Sequence, residues 1–189
     1  MRLAIFGGTF NPVHVGHLFL AEEVQARLGY ERVLFVPAHI PVHKDMDAEA
    51  GPEHRLAMLR LATAPYPSFQ VEDCELRRGG ASYTIDTVRE ILGRYPIDDK
   101  PGLVIGDDLV EGFESWKEAR RLAEMVQLIV GRRLAAGEAR MRHPCIYVDN
   151  CLLPVSSSEI RQRLRQGRSI RLLVPEAVMQ YILRHALYA

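Results

Sequence analysis

The passage from residue 3 to residue 28 limits the fold more than any other. Four apolar residues, Leu3-Ala4-Ile5-Phe6, run straight into Gly7-Gly8-Thr9-Phe10-Asn11-Pro12-Val13-His14-Val15-Gly16-His17. Beyond that turn, Leu20, Ala21, Val24 and Leu28 recur at helical spacing. A short buried strand, a glycine-rich turn and a helix bring backbone N–H groups up to a phosphate. His14 and His17, at i and i+3 of the helix entry, share one face. Gly16 between them lets a ligand come close to the backbone. Gly29 can stop the helix, and Arg32-Val33-Leu34-Phe35-Val36, closed by Pro37, supplies a second strand. The unit is β-α-β, with parallel strands and an expected right-handed crossover.

The same alternation continues. A loop from Ala38 to Lys44 carries two prolines, and a small, acidic stretch follows to Gly51. Pro52 opens a helix running to about Ala64, with Leu56, Leu59 and Ala62 expected on its inner face. Phe69–Glu72 is a candidate strand, and Gly79-Gly80 a turn before a helix that starts at Ser82-Tyr83-Thr84 and carries Ile85, Val88, Ile91 and Leu92. Gly102–Gly106, Val126–Val130 and Cys145–Val148 are further strands. Ser115-Trp116-Lys117-Glu118 and Ser156-Ser157-Ser158-Glu159 both have the S-x-x-E form of a capping box, so a helix is expected after each. Pro175 begins a final helix with Val178, Ile182, Leu183 and Ala186 at helical spacing.

No repeat or linker interrupts the pattern. The reading is α/β: one Rossmann-like domain over residues 1–189, a mostly parallel twisted sheet with helices on both faces and a C-terminal helical part (about 156–189) packed on it. Ligands of such sheets bind beyond the carboxyl ends of the strands, and most of the polar clusters follow a strand.

Charge narrows the partners. Lys+Arg and Asp+Glu both number 24, so there is no net charge to grip nucleic acid or an anionic membrane broadly. Cys74, Cys145 and Cys151 are odd in number and contain no C-x-x-C pair, which suits reduced thiols in a cytoplasmic protein. No apolar stretch approaches membrane-spanning length. Small-molecule substrates are the expected partners, and self-association into a homo-oligomer is left open.

The opening turn is neither G-x-G-x-x-G nor a P-loop. A tight turn in which the histidines only cap or fill is the bland alternative. A zinc site is another, but H-x-x-H spacing alone is weak, no cysteine is near, and His39 and His43 straddle a proline. Gly7 to His17 resembles the G-G-T-F-[DN]-P-x-H-x-G-H signature of the nucleotidyltransferase superfamily. Ser156-Ser157-Ser158-Glu159-Ile160-Arg161 resembles its S-[ST]-[ST]-x-I-R signature. Further stretches resemble one branch, the bacterial nicotinate mononucleotide adenylyltransferases: Val36-Pro37-Ala38 through His43-Lys44, Ala81 to Thr87, Ile105-Gly106-Asp107-Asp108-Leu109 with Phe113 and Trp116, and Leu173 to Tyr188. Ser158 stands where Thr is usual and Asp107 where a small residue is usual.

The resemblance implies transfer of AMP from ATP to the 5′-phosphate of nicotinate mononucleotide, giving nicotinate adenine dinucleotide and pyrophosphate in NAD biosynthesis, with Mg²⁺ accompanying ATP. It casts His14, His17, Lys44 and Arg161 as the catalytic group and gives Gly7, Gly8, Thr9, Phe10, Gly16, Gly106, Asp108, Ser156 and Ser157 to ATP. It gives Asn11, Lys44, Arg55, Ser82, Tyr83, Thr84, Trp116 and Arg133 to the mononucleotide, Arg132 being the neighbour that leaves the last assignment open. The residues suit these roles chemically: histidine donates to phosphoryl oxygens, Arg161 can fork onto two of them, and a Ser-capped helix start offers N–H groups. Trp116 can stack on a flat heteroaromatic ring, with a core contact as its alternative, and the helix start at Tyr83-Thr84 can receive a carboxylate. Alternatives are adenylyl transfer to nicotinamide mononucleotide or a phosphopantetheine acceptor, and a nucleotide-binding module without turnover. The loop over residues 38–51 has the composition of a mobile lid.

Overall fold

Successive side chains of a strand point to opposite faces, so a strand buried on both faces must be apolar throughout. The run at residues 3–6 meets that condition, and the chain builds its sheet around it. In a computed structural model, which describes residues 1–41, 50–132, 140–148 and 153–188, β1 spans Leu3–Gly8. Leu3 and Ile5 enter one core and Ala4 and Phe6 the other.

The elements follow in order: α1 (Val15–Leu28), β2 (Arg32–Pro37), β3 (Ile40–Pro41), α2 (Pro52–Thr63), β4 (Phe69–Val71), α3 (Cys74–Arg78), β5 (Ala81–Ser82), α4 (Thr84–Arg94), β6 (Gly102–Gly106), α5 (Ala119–Met125), β7 (Gln127–Gly131), β8 (Cys145–Val148), α6 (Ser157–Arg165) and α7 (Glu176–Arg184). Among the described residues six strands form one sheet in the order β4-β2-β1-β6-β7-β8, every pair parallel. The core containing Ala4, Phe6, Val33, Phe35, Val104 and Ile129 is covered by α1, α2, α6 and α7. The opposite core, with Leu34, Val36, Leu103, Ile105, Leu128 and Val130, is covered by α3, α4 and α5. Helices on both faces of a parallel sheet are what the alternation called for. Strand order reverses between β1 and β6, so the crevice beyond their carboxyl ends is the switch point where such sheets bind ligands.

Some local expectations are corrected. Ser115 and Glu118 do not make a capping box. The Ser115 hydroxyl donates to the Gly112 carbonyl at 2.7 Å, and the Glu118 carboxylate takes two hydrogen bonds from Arg89 at 3.0 and 2.6 Å. Glu118 itself stands in the left-handed region, with φ of 52°, and α5 starts after it. Of the residues expected on the inner face of α2, Leu59 and Ala62 are buried and Leu56 is half-buried, while Arg55 and Met58 are buried with them. Leu92 and Leu183 are exposed while Ile85, Val88, Ile91, Val178 and Ile182 fill the core. The one-turn helix α3 and the two-residue parallel pair β3–β5 are additions that no periodicity could announce.

Cys74 is buried, and burial pushes its thiol pKa up to about 12, so it is a protonated core side chain at neutral pH. Burial also raises Cys145; Cys151 lies outside the described residues. No helix among the described residues is long and apolar enough to cross a membrane.

Candidate active site

A cleft of about 610 Å³ opens beyond the carboxyl ends of β1 and β6. The opening turn contributes Gly7, Gly8, Thr9, Phe10, Asn11 and His14, the start of α1 Gly16 and His17, the end of β6 Gly106 and Asp108, and the start of α6 Ser156, Ser157 and Arg161. Three stretches far apart in sequence are thus brought together, and every residue expected to face ATP lies on the wall. Two helix N-termini, those of α1 and α6, open onto the one cleft. Each carries partial positive charge, and together they suit a polyanion.

Aromatic packing shapes the turn. Phe10 is buried with φ of 49°, its ring edge-on to Phe6 at 5.8 Å and to His17 at 5.0 Å. A Cβ on Gly8 would come within 2.9 Å of that ring, so glycine is required there for packing. Gly16 is required similarly: a Cβ would meet Val155 at 2.9 Å and His14 Nδ1 at 3.1 Å. Its bare backbone therefore lets the segment leading into α6 dock on the start of α1, besides lining the cleft.

His14 and His17 stack, with ring centroids 3.7 Å apart and planes 30° apart. The backbone N–H of His14 donates to His17 Nδ1 at 3.2 Å. With Nδ1 accepting, the neutral ring carries its proton on Nε2. His17 thus caps the helix with one nitrogen, and the capping and ligand readings of this histidine are compatible.

Ser156 is the N-cap of α6, its hydroxyl accepting from the Glu159 N–H at 3.1 Å. Ser157 Oγ donates to the Pro12 carbonyl at 2.9 Å, and Arg161 Nη1 to the Asn11 carbonyl at 2.9 Å. The second signature therefore holds the first in place as well as lining the cleft beside it.

Apart from Asn11, which lines the cleft, the described residues expected around the acceptor lie away from it. The hydroxyl of Ser82 in β5 accepts from the His39 N–H at 2.9 Å. Tyr83 is the N-cap of α4, its ring 4.7 Å from Lys117 Nζ, and Lys117 also pairs with Asp86 at 2.8 Å. Trp116, just before that lysine, is half-buried with its ring 5.2 Å from Phe113. Ser82, Tyr83, Thr84 and Trp116 do not line the 610 Å³ cleft. Arg55 departs furthest from expectation. It is fully buried, and donates to the Thr9 carbonyl at 2.8 Å and the His39 carbonyl at 3.1 Å. Its guanidinium ties the opening turn to the acceptor-side loop as an internal strut. Lys44 and Arg133 lie outside the described residues, as does most of the expected lid.

Arg132, named above only as the neighbour of Arg133, enters the site, and others enter it unannounced. Arg132 and Arg163 line the cleft, Arg163 pairing with Glu159 at 2.8 Å. Arg163 follows Arg161 by two on α6, a spacing that puts two side chains on different faces of a helix, so no local pattern flagged it. Tyr188 donates to Asn11 Oδ1 at 2.6 Å across 177 positions, and no local pattern could have shown that.

The cytidylyltransferase-like family model matches residues 5–163. A probable nicotinate-nucleotide adenylyltransferase of Borrelia hermsii is 43% identical over 188 residues, covering 100% of this chain and 98% of its own length. One from Treponema pallidum is 38% identical over 202 residues, covering 100% and 99%. Among solved structures, Plasmodium falciparum nicotinic acid mononucleotide adenylyltransferase complexed with NaAD superimposes with a TM-score of 0.78 at 19% identity, covering 99% of this chain and 97% of that one.

Proposed function

The chain belongs to the cytidylyltransferase-like family and, within it, to the nicotinate-nucleotide adenylyltransferases, and on that premise we propose how its residues divide the work. The enzyme transfers AMP from ATP to the 5′-phosphate of nicotinate mononucleotide, the dinucleotide-forming step of NAD biosynthesis. An oxygen of that phosphate attacks the α-phosphorus of ATP. The bond from the α-phosphorus to the bridging oxygen breaks, and pyrophosphate leaves with the electron pair. The nucleophile is already ionised at neutral pH, so neither a general base nor a covalent intermediate is needed.

Catalysis then consists of alignment and charge stabilisation. His17, through Nε2–H, and His14 donate to phosphoryl oxygens; Arg161 and the N-terminus of α6 hold the leaving pyrophosphate. Lys44 is assigned to the same charge and Arg133 to the acceptor's phosphate. The acceptor's ring and carboxylate are assigned to Trp116 and to the N–H groups at Tyr83-Thr84, with Asn11 at the junction. Arg55 positions both halves from beneath. Among the described residues no three His, Cys, Asp or Glu side chains gather to hold a metal. A divalent cation, which we take to be Mg²⁺, would accompany the triphosphate and supply charge neutralisation there.

The observation carrying this reading is the convergence of two helix N-termini, His17 and Arg161 on the switch point between β1 and β6. Pyrophosphate release from ATP is the test, with nicotinate mononucleotide, its amide or phosphopantetheine as acceptor. Rapid release with the acid and slower release with the amide are expected. No release with any pyridine mononucleotide would overturn the reaction, and equal rates with acid and amide would overturn the carboxylate site.

A further inference from the structure

The wall of the cleft holds a conflict of charge. Two helix N-termini, His17 and Arg161 make it a place for anions, yet Glu159 lines it too. This acid stands in the first turn of α6, where a carboxylate steadies a helix by facing its positive end. Beside a bound triphosphate the same charge repels. The S-[ST]-[ST]-x-I-R signature leaves the position open, so the acid belongs to this chain and not to the pattern.

Arg163 stands one turn further along α6, half-buried like Glu159 and on the same cleft wall. Its Nε donates to Glu159 Oε1 at 2.8 Å. Arg168 Nη2 is 4.0 Å from the same oxygen, beyond hydrogen-bond reach. A charge acts across several ångströms, so neither member of the pair has to touch the nucleotide to affect it. We propose that Arg163 is a positioning residue for ATP that acts through Glu159: it holds the carboxylate and offsets its charge, so that α6 keeps an acid at its start without that acid repelling the triphosphate. This rests on the adenylyltransferase reading, in which the leaving pyrophosphate lies at the N-terminus of α6.

Calorimetric titration with ATP tests this on the native protein, Arg163→Met, Glu159→Gln and the double variant. Arg163→Met uncovers the carboxylate and should raise the Kd of ATP about fivefold, whereas on the Glu159→Gln background the same change should cost less than about twofold. Glu159→Gln alone should bind ATP at least as tightly as the native protein. The loss in Arg163→Met should be smaller for AMP, which lacks the terminal phosphates. It should nearly vanish in about 1 M salt, where charges are screened beyond about 3 Å. Arg163→Lys, which keeps the charge, should restore most of the affinity. Equal losses on both backgrounds would make Arg163 a direct phosphate ligand and overturn the proposal, as would no loss on the native one. A loss equal for ATP and AMP and unchanged by salt is what damage to α6 would give, and it too would overturn the proposal. A native protein that binds ATP and releases no pyrophosphate fails the adenylyltransferase reading instead, and the four titrations still judge the pair.

Discussion

His17 separates into two functions by atom. Nδ1 accepts from the His14 N–H and steadies the start of α1, while Nε2 is the atom that the proposed mechanism assigns to the phosphates. His17→Ala should therefore reduce kcat at least about tenfold, as loss of one transition-state hydrogen bond does, and lower stability by about 1 kcal/mol, as loss of a cap does. His17→Asn, whose short amide can replace the Nδ1 contact but not reach as far as Nε2, should recover the melting temperature and not the rate. Initial rates and thermal melts of the two variants check this; a near-native rate in either would place the phosphates elsewhere. The pair His14/His17 was readable because a local spacing put both rings at a turn that only a few ligands explain. Arg55 was not. In the sequence it is one arginine in a helix, and its burial depends on carbonyls at Thr9 and His39 that only the folded chain brings to it.

Glu72, directly after β4, is the polar knot of its side of the sheet. It is buried and accepts from Arg77 at 2.9 Å, Arg94 at 2.8 Å and Tyr95 at 2.7 Å, joining β4 to α3 and to the end of α4. Burial works to raise its carboxyl pKa, and the bonds from Tyr95, Arg94 and Arg77 outweigh it, leaving the pKa below the ordinary 4.5. Its contribution to stability is therefore complete above pH 4.5 and drains away as pH falls through the lower folded-state value. Glu72→Gln should cost about 1–3 kcal/mol at neutral pH, and the gap to the native protein should narrow in that acid window. Urea melts at neutral pH and below 4.5 measure it; a gap independent of pH would rule the linkage out. At this scale the long strands were readable because runs such as Val33–Val36 are apolar on both faces. The S-x-x-E at Ser115 misled because both side chains found other partners, Gly112 and Arg89. The strands β3 and β5 are two residues each, too short to carry a period.

For the molecule as a whole, the parallel sheet and its switch point followed from the alternation of elements, and so did the end of the sheet at which the cleft opens. Which carbonyl each arginine holds depends on register and on helix rotation, and these come from packing across the whole sheet. The site straddles three stretches of chain, so each substrate should stabilise the fold through all of them. At a free concentration of about 100 times its Kd, ATP should add about 2.7 kcal/mol, a rise in Tm of about 5–10 °C for a chain of this length. Nicotinate mononucleotide should raise it further, and the absence of any shift with ATP at any concentration would contradict the assigned cleft. The bond between Asn11 and Tyr188 has one more consequence, and it concerns time. A ribosome adding roughly 5–20 residues per second separates these partners by about 9–35 s. For that interval the nascent chain can pair its strands, yet the face of the sheet that α7 and Tyr188 cover stays open, and the asparagine has no phenol to hold it. Pairing of the sheet and closure of the core beneath α7 are therefore separate events in the life of each new molecule, and the second waits for the arrival of residue 188.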